Sequence, residues 1–485
     1  MLHVTVMGKR LKAEKGCNLM DLLRREGIFI DAPCGGHGQC GKCRVVVEGR
    51  EVLACETSVD RDMAVTVPEE SVLRFPQPLP ADGNRQPAGE GYTLAFDIGT
   101  TSVVCYLLDG KTGVELARSS MLNPQTAYGA DVVTRIRAAL QGAMEQQTKL
   151  IREGMTGLIR HACREAGISP EEVSVVSVVG NPAMQQLFLG ISPENLAGVP
   201  FRPVLTEAKT VPCKEMLPLC SNARLQIVPD ISGYIGADTV GCVLATGMHQ
   251  KEEITLLVDI GTNGEMVLGN KERMIACSTA AGPALEGANI RFGMRAAEGA
   301  IDRVWLDGGK LQCSVIGGGE ARGICGSGLI DAVAVGLQTG LLNKRGRIQN
   351  EEHVFHLTDA ICLTQDDIRQ VQLAKGAIYA GICLMAKQLG LDLEEIQQVQ
   401  LAGAFGSNLD PANACCIGLL PEELGDRIEK VGNAAGSGAK MLARDPDLLS
   451  AAQLLTEKIE FLELAVLPEF SGTFARAMNF REGSV

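Results

Sequence analysis

The segment Thr93-Leu-Ala-Phe-Asp-Ile-Gly-Thr100 recurs as Thr255-Leu-Leu-Val-Asp-Ile-Gly-Thr262, with six of the eight positions identical. No other feature restricts the possible folds as strongly. Each copy reads as a buried strand that carries an aspartate into a tight turn, followed by a second strand (102–108 and 265–269). Two copies at matched positions predict two related half-domains, about 92–252 and 253–485. In each turn a glycine, Gly99 or Gly261, lets the main chain bend and approach a ligand. The N–H groups of Thr100, Thr101, Thr262 and Asn263 can then form an anion-binding concavity. Asp97 and Asp259 would repel bound phosphates unless a cation intervened, so Mg²⁺ is expected on them. The plainer alternative is a pair of ordinary hairpins with Asp-Gly turns.

Ahead of this region, residues 68–91 hold five prolines and three glycines without hydrophobic periodicity, and read as a linker. Residues 1–67 form a separate unit too small to bury much core, which usually calls for a metal or another staple. Its cysteines are Cys34, Cys40, Cys43 and Cys55, spaced C-x5-C-x2-C-x11-C. Structural zinc sites usually offer two close cysteine pairs, and here only one pair is close. Three ligands come from one loop with glycines at 35, 36, 38 and 41, and the fourth is expected on a hairpin strand. Such a loop wraps a [2Fe–2S] cluster and turns N–H groups toward its sulfurs.

Composition narrows the function classes. The formal net charge is −13 and there is one Trp, which argues against a nucleic-acid partner. No apolar run reaches the ~18 residues needed to span a bilayer. The N-terminus lacks a cationic segment before a greasy one, so a cytoplasmic location with no membrane partner is expected. The other cysteines of the 17 read as buried, inert thiols.

Residues 1 to about 70 resemble a plant-type ferredoxin domain of β-grasp fold, with a first cysteine gap one residue longer and a shorter gap to the fourth. Farther on, Val399-Gln-Leu-Ala-Gly-Ala-Phe-Gly406 reads as a short strand ending in small residues that admit an adenine or ribose. Gly432-Asn-Ala-Ala-Gly-Ser-Gly-Ala-Lys440 suits a close helix crossing. The order Asp-Ile-Gly-Thr-Thr, Asp-Ile-Gly-Thr-Asn-Gly-Glu, Ala-Gly-Ala-Phe-Gly resembles the ASKHA superfamily. The expected fold is therefore an α+β β-grasp ferredoxin-like domain followed by an α/β, actin-like ATPase domain of duplicated ribonuclease-H-like halves. The resemblance implies ATP and Mg²⁺ between the halves, on Asp97, Gly99, Thr100, Thr101, Asp259, Gly261, Thr262, Asn263, Gly264 and Glu265. It also places Gly403, Ala404, Phe405 and Gly406 at the nucleoside. Asp230 is the candidate for orienting an attacking water, with Asp238 the alternative.

The pairing of these two domains resembles the reductive activators of corrinoid-dependent methyltransferases over essentially the whole chain, with a shorter linker and a reduced middle domain. That likeness implies ATP-dependent return of cob(II)alamin to cob(I)alamin, a corrinoid protein as partner, and a homodimer. It names no electron donor. Three other readings compete. One is the activators of 2-hydroxyacyl-CoA dehydratases, which lack a ferredoxin domain. The others are a redox-sensing nucleotide-binding regulator and a small-molecule kinase.

Overall fold

The computed structural model describes residues 2–26, 28, 30, 38, 41–68, 91–219 and 221–480. Cys34, Cys40, Gly35, Gly36, Cys220 and nearly all of the expected linker lie outside the described residues.

The N-terminal unit is a five-stranded mixed sheet. Its order is 9–13, 2–6, 63–66, 44–47, 50–53, with a parallel pair formed by 2–6 and 63–66. The helix Leu19–Arg25 begins at Asn18, whose Oδ1 accepts the Met20 and Asp21 N–H groups at 3.0 and 3.3 Å. Val4, Val6, Leu11, Leu19, Leu23 and Val45 pack between helix and sheet, which gives the β-grasp arrangement. One expectation needs correcting. Cys55 does not lie on a hairpin strand; the strand ends at Leu53, and Cys55 sits on the 3₁₀ turn Ala54–Glu56.

The larger region contains two sheets with one plan. In the first, 92–98, 102–109 and 115–122 form an antiparallel meander, and 173–180 and then 224–227 add in parallel beside 92–98. In the second, 255–260, 264–269 and 274–279 form the meander, and 398–402 and then 428–432 add in parallel. The repeated segments thus become the same strand of each half. Leu94, Ala95, Phe96, Leu256 and Val258 are fully buried, because each such strand is covered on both faces and must be apolar throughout. The long helices Met144–Ala166 and Gln365–Leu389 carry the chain from each meander to its parallel strands. The second opens with a reciprocal Thr364–Asp367 cap, and both stop at a left-handed glycine.

The halves meet where helix Ala237–Thr246 crosses helix Ala434–Arg444. A Cβ added at Gly438 would stand 2.2 Å from the Gly241 carbonyl oxygen, so the two main chains touch. This is the close crossing expected of the Gly/Ala-rich stretch.

Two local readings change. Neither Gly99 nor Gly261 occupies the left-handed region. Gly99 is needed for space, since its Cβ would meet the Ser102 carbonyl oxygen at 2.9 Å, while the corresponding position at Gly261 has no neighbour closer than 3.8 Å. The second change is at 403–406, where the small residues do not end the strand. The strand Gln398–Ala402 stops, and Gly403, at φ +81°, opens the helix Gly403–Asn408.

Candidate functional site

Asp97 and Asp259 occupy equivalent strands of the two halves, and the Asp97 charge helps to raise the pKa of Asp259. Around them the two Asp-Ile-Gly-Thr turns are held by side chains from distant parts of the chain. Asn123 Nδ2 donates to the Gly99 carbonyl at 2.8 Å, and Asn181 Nδ2 donates to Thr100 Oγ1 at 3.0 Å. The fully buried Arg135 guanidinium donates to the carbonyls of Thr100 and Gly129. Burial pushes its pKa down to about 9, still above neutrality. Asn433, which caps helix Ala434–Arg444, donates to Asp97 Oδ2 at 2.9 Å and to the Tyr106 hydroxyl at 3.1 Å. Glu286 Oε2 spans both turns, accepting from Thr101 Oγ1 at 3.0 Å and Thr262 Oγ1 at 2.7 Å.

The electrostatics of this space are those of crowded acids. Burial lifts Asp97 to about 6, opposed by the Asn433 hydrogen bond. Asp259 rises to about 7 through burial and then the Asp97 charge. Asp238, in the first turn of its helix, also rises to about 7, mainly through burial. Glu265 is raised by burial and by Asp238 and Asp259. Carboxyls that resist ionisation until charge is supplied form a fitting environment for a divalent cation. Among the described residues no three acidic, His or Cys side chains converge on one point. The residues present therefore fit Mg²⁺ with a nucleotide.

The two candidate carboxylates differ in access. Asp230 is 2% exposed, takes a 3.3 Å hydrogen bond from Gln185 Nε2, and leaves Oδ2 without a hydrogen-bond partner. Asp238 keeps some solvent contact and shares its surroundings with Asp97 and Asp259. At the second set of candidates, Gly403 lies against Asp259, since a Cβ there would meet Oδ1 at 2.5 Å. Ala404 follows Gly403 in the helix. The Phe405 ring packs on Gly326 and Gly406 on Leu401, so these two support the helix. Gly264 is backed by Thr279, and Asn263 closes its turn by accepting the Gly261 N–H at 2.9 Å. Sequence reasoning missed Glu286, Asn433 and Arg135 as members of this site.

In the N-terminal unit, Cys43 is 1% exposed and its sulfur lies 3.3 Å from that of Cys55. That is beyond the ~2.05 Å of a disulfide, yet close enough for both thiols to serve one metal centre. Two hydrogen bonds fix them: Ala54 N–H to the Cys43 carbonyl at 2.8 Å, and Asn18 Nδ2 to the Cys55 carbonyl at 2.7 Å. Gly38 and Gly41 take left-handed conformations. Lys42, between Gly41 and Cys43, donates to the carbonyls of Gly287 and Gly293 at 3.3 and 3.2 Å.

Fold and site define a ferredoxin-like iron–sulfur domain joined to an ASKHA domain. Residues 4–66 match the 2Fe-2S iron-sulfur cluster binding domain. Residues 92–251 match the RACo middle region and 253–485 the C-terminal ASKHA domain of RACo. The RACo middle region matches the span read as the first half. The corrinoid activation enzyme RamQ of Eubacterium limosum is 32% identical over 94% of each chain. A Co(II) methylated amine-specific corrinoid protein reductase of Methanosarcina barkeri is 27% identical over 80% of this chain and 77% of its own. A solved reductive activator for a corrinoid, iron–sulfur protein superposes with a TM-score of 0.73 at 29% identity, covering 99% of this chain and 98% of that one. The chain belongs to the family of corrinoid-activating reductases. Among its described residues no helix is long and apolar enough to cross a membrane.

Proposed function

We propose that this chain returns an oxidised corrinoid protein to its methyl-accepting state, moving one electron onto cobalt(II) to give cobalt(I) at the expense of Mg-ATP. The observation that carries the reading is the union, in one chain, of two adjacent cysteine thiols and twin Asp-Ile-Gly-Thr turns whose aspartates interact. Its full-length similarity to a corrinoid activation enzyme gives that union a substrate class. A [2Fe–2S] centre would be held by Cys34, Cys40, Cys43 and Cys55 and would supply single electrons. The remaining work belongs to the chain. Asp97 and Asp259 would hold Mg²⁺, and Thr100, Thr101, Thr262 and Asn263 would bind phosphate. Asp238, which keeps more solvent contact than Asp230, orients the attacking water. Phosphate binding shifts the halves relative to one another, and that motion gates electron delivery. The resemblance also implies a homodimer, which light scattering tests.

The decisive experiment mixes dithionite-reduced protein with a cobalt(II) corrinoid protein, with and without Mg-ATP, under strict exclusion of oxygen. The cobalt(I) absorbance band should appear only with Mg-ATP. Its absence from cluster-loaded, nucleotide-bound protein, or phosphoryl transfer to a metabolite, would overturn the reading.

A further inference from the structure

Glu286 stands where nucleotide phosphates are expected. One carboxylate oxygen takes both threonine hydroxyls, one from each half, so the cleft is tied shut by a negatively charged group. A phosphate arriving at Thr101 and Thr262 competes for the same donors and is repelled by the same carboxylate. Both cannot hold those hydroxyls.

The residues after Glu286 show where a displacement goes. Glu286 ends the short helix Pro283–Glu286, and Gly287 follows at φ +82°. A Cβ on Gly287 would meet the Met294 carbonyl oxygen at 2.5 Å, and one on Gly293 would meet the Gly287 carbonyl oxygen at 2.1 Å. Residues 287 and 293 are thus interlocked through main chain, with no flexible side chain between them to absorb movement. Their carbonyls converge on the Lys42 ammonium, whose neighbour Cys43 is a cluster ligand candidate.

We propose that Glu286 is a latch on the empty cleft, displaced by the phosphates of Mg-ATP, and that its release passes through the 287–293 turn to loosen Lys42 and the adjoining ligand candidate Cys43. This inference rests on the nucleotide reading above and adds the contact by which occupancy is communicated. Glu286 acts here as a positioning and coupling residue.

The test uses full-length, cluster-loaded protein without oxygen and two readouts besides turnover: Mg-ATPγS affinity by calorimetry, and the rate at which a ferrous chelator strips iron. In the wild type, nucleotide should speed iron loss. Glu286→Ala removes the competing carboxylate and should bind Mg-ATPγS about ten-fold more tightly, with Glu286→Gln between the two. Lys42→Met should lose iron quickly with or without nucleotide. By reciprocity it should also bind nucleotide more tightly, although it lies outside the phosphate turns. Lys42→Arg should restore the wild-type pattern. Glu286 variants that bind nucleotide equally or more weakly overturn the latch, as does a Lys42→Met protein with unchanged affinity and unchanged nucleotide response. A wild type that binds no nucleotide overturns the functional reading and the latch together.

Discussion

Replacing Asp230 by Asn separates two roles that the sequence left open. The side chain is almost wholly enclosed, with one oxygen unpartnered, and its pKa is raised well above the ordinary value by burial and by the nearby Asp238 charge. The folded protein therefore holds this proton more tightly than the unfolded chain. Stability is greatest where the carboxyl is protonated and falls as pH rises through the raised folded-state pKa. Asp230→Asn keeps an acceptor for Gln185 Nε2 and carries no charge. Sparing the fold the ionisation of this enclosed group is worth about 1–3 kcal/mol at a pH where the unfolded carboxyl is charged. In a domain this large that corresponds to a melting-temperature gain of roughly 2–4 °C. The gain should be absent near pH 4 and grow toward pH 8, as followed by circular dichroism melts in Mg-free buffer. Turnover of Mg-ATP should stay within about ten-fold of wild type, whereas Asp238→Asn should lose about a hundred-fold or more. A pH-independent or destabilising effect of Asp230→Asn would refute the electrostatic argument. A collapse of ATP turnover in Asp230→Asn alone would restore it as the water-orienting group.

Further outcomes follow from other contacts. Asn433→Ala removes a helix cap and the hydrogen bond to Asp97; it should cost about 1–2 kcal/mol in thermal denaturation and weaken Mg-nucleotide binding in calorimetry. Gly438→Ala forces a methyl group against the Gly241 main chain and should destabilise the domain by about 1–3 kcal/mol, measured by urea unfolding. Cys43→Ser or Cys55→Ser should abolish the visible cluster spectrum and lower the iron content, while Mg-ATPγS still binds.

Parts of this architecture were legible because they are local. An apolar strand ending in Asp, repeated at equal depth in both halves, announces its own burial and its own turn. The iron–sulfur domain of residues 4–66 was legible for a similar reason, because its cysteines stand close together in one short segment. What stayed hidden is non-local. Asn433 meets Asp97 across 336 positions of sequence, and nothing around it marks it as more than a helix cap. Glu286 lies 24 residues beyond Thr262 in a stretch of small residues that reads as a packing turn, and its partners are supplied by both halves. Arg135 looked like any helical arginine until burial placed its guanidinium behind the first turn. Small residues at 403–406 suggested a strand end, but periodicity cannot show that a positive φ at Gly403 turns the chain against Asp259.

The crossing at Gly241 and Gly438 has a mechanical consequence. Surfaces separated by side chains can slide, because rotamers rearrange as they pass. Two backbones in direct contact have nothing to rearrange, and translation would break the contact outright. Relative motion of the halves is therefore restricted to pivoting about this point. The farther a group lies from the pivot, the longer the arc it sweeps for the same small change at the phosphate turns.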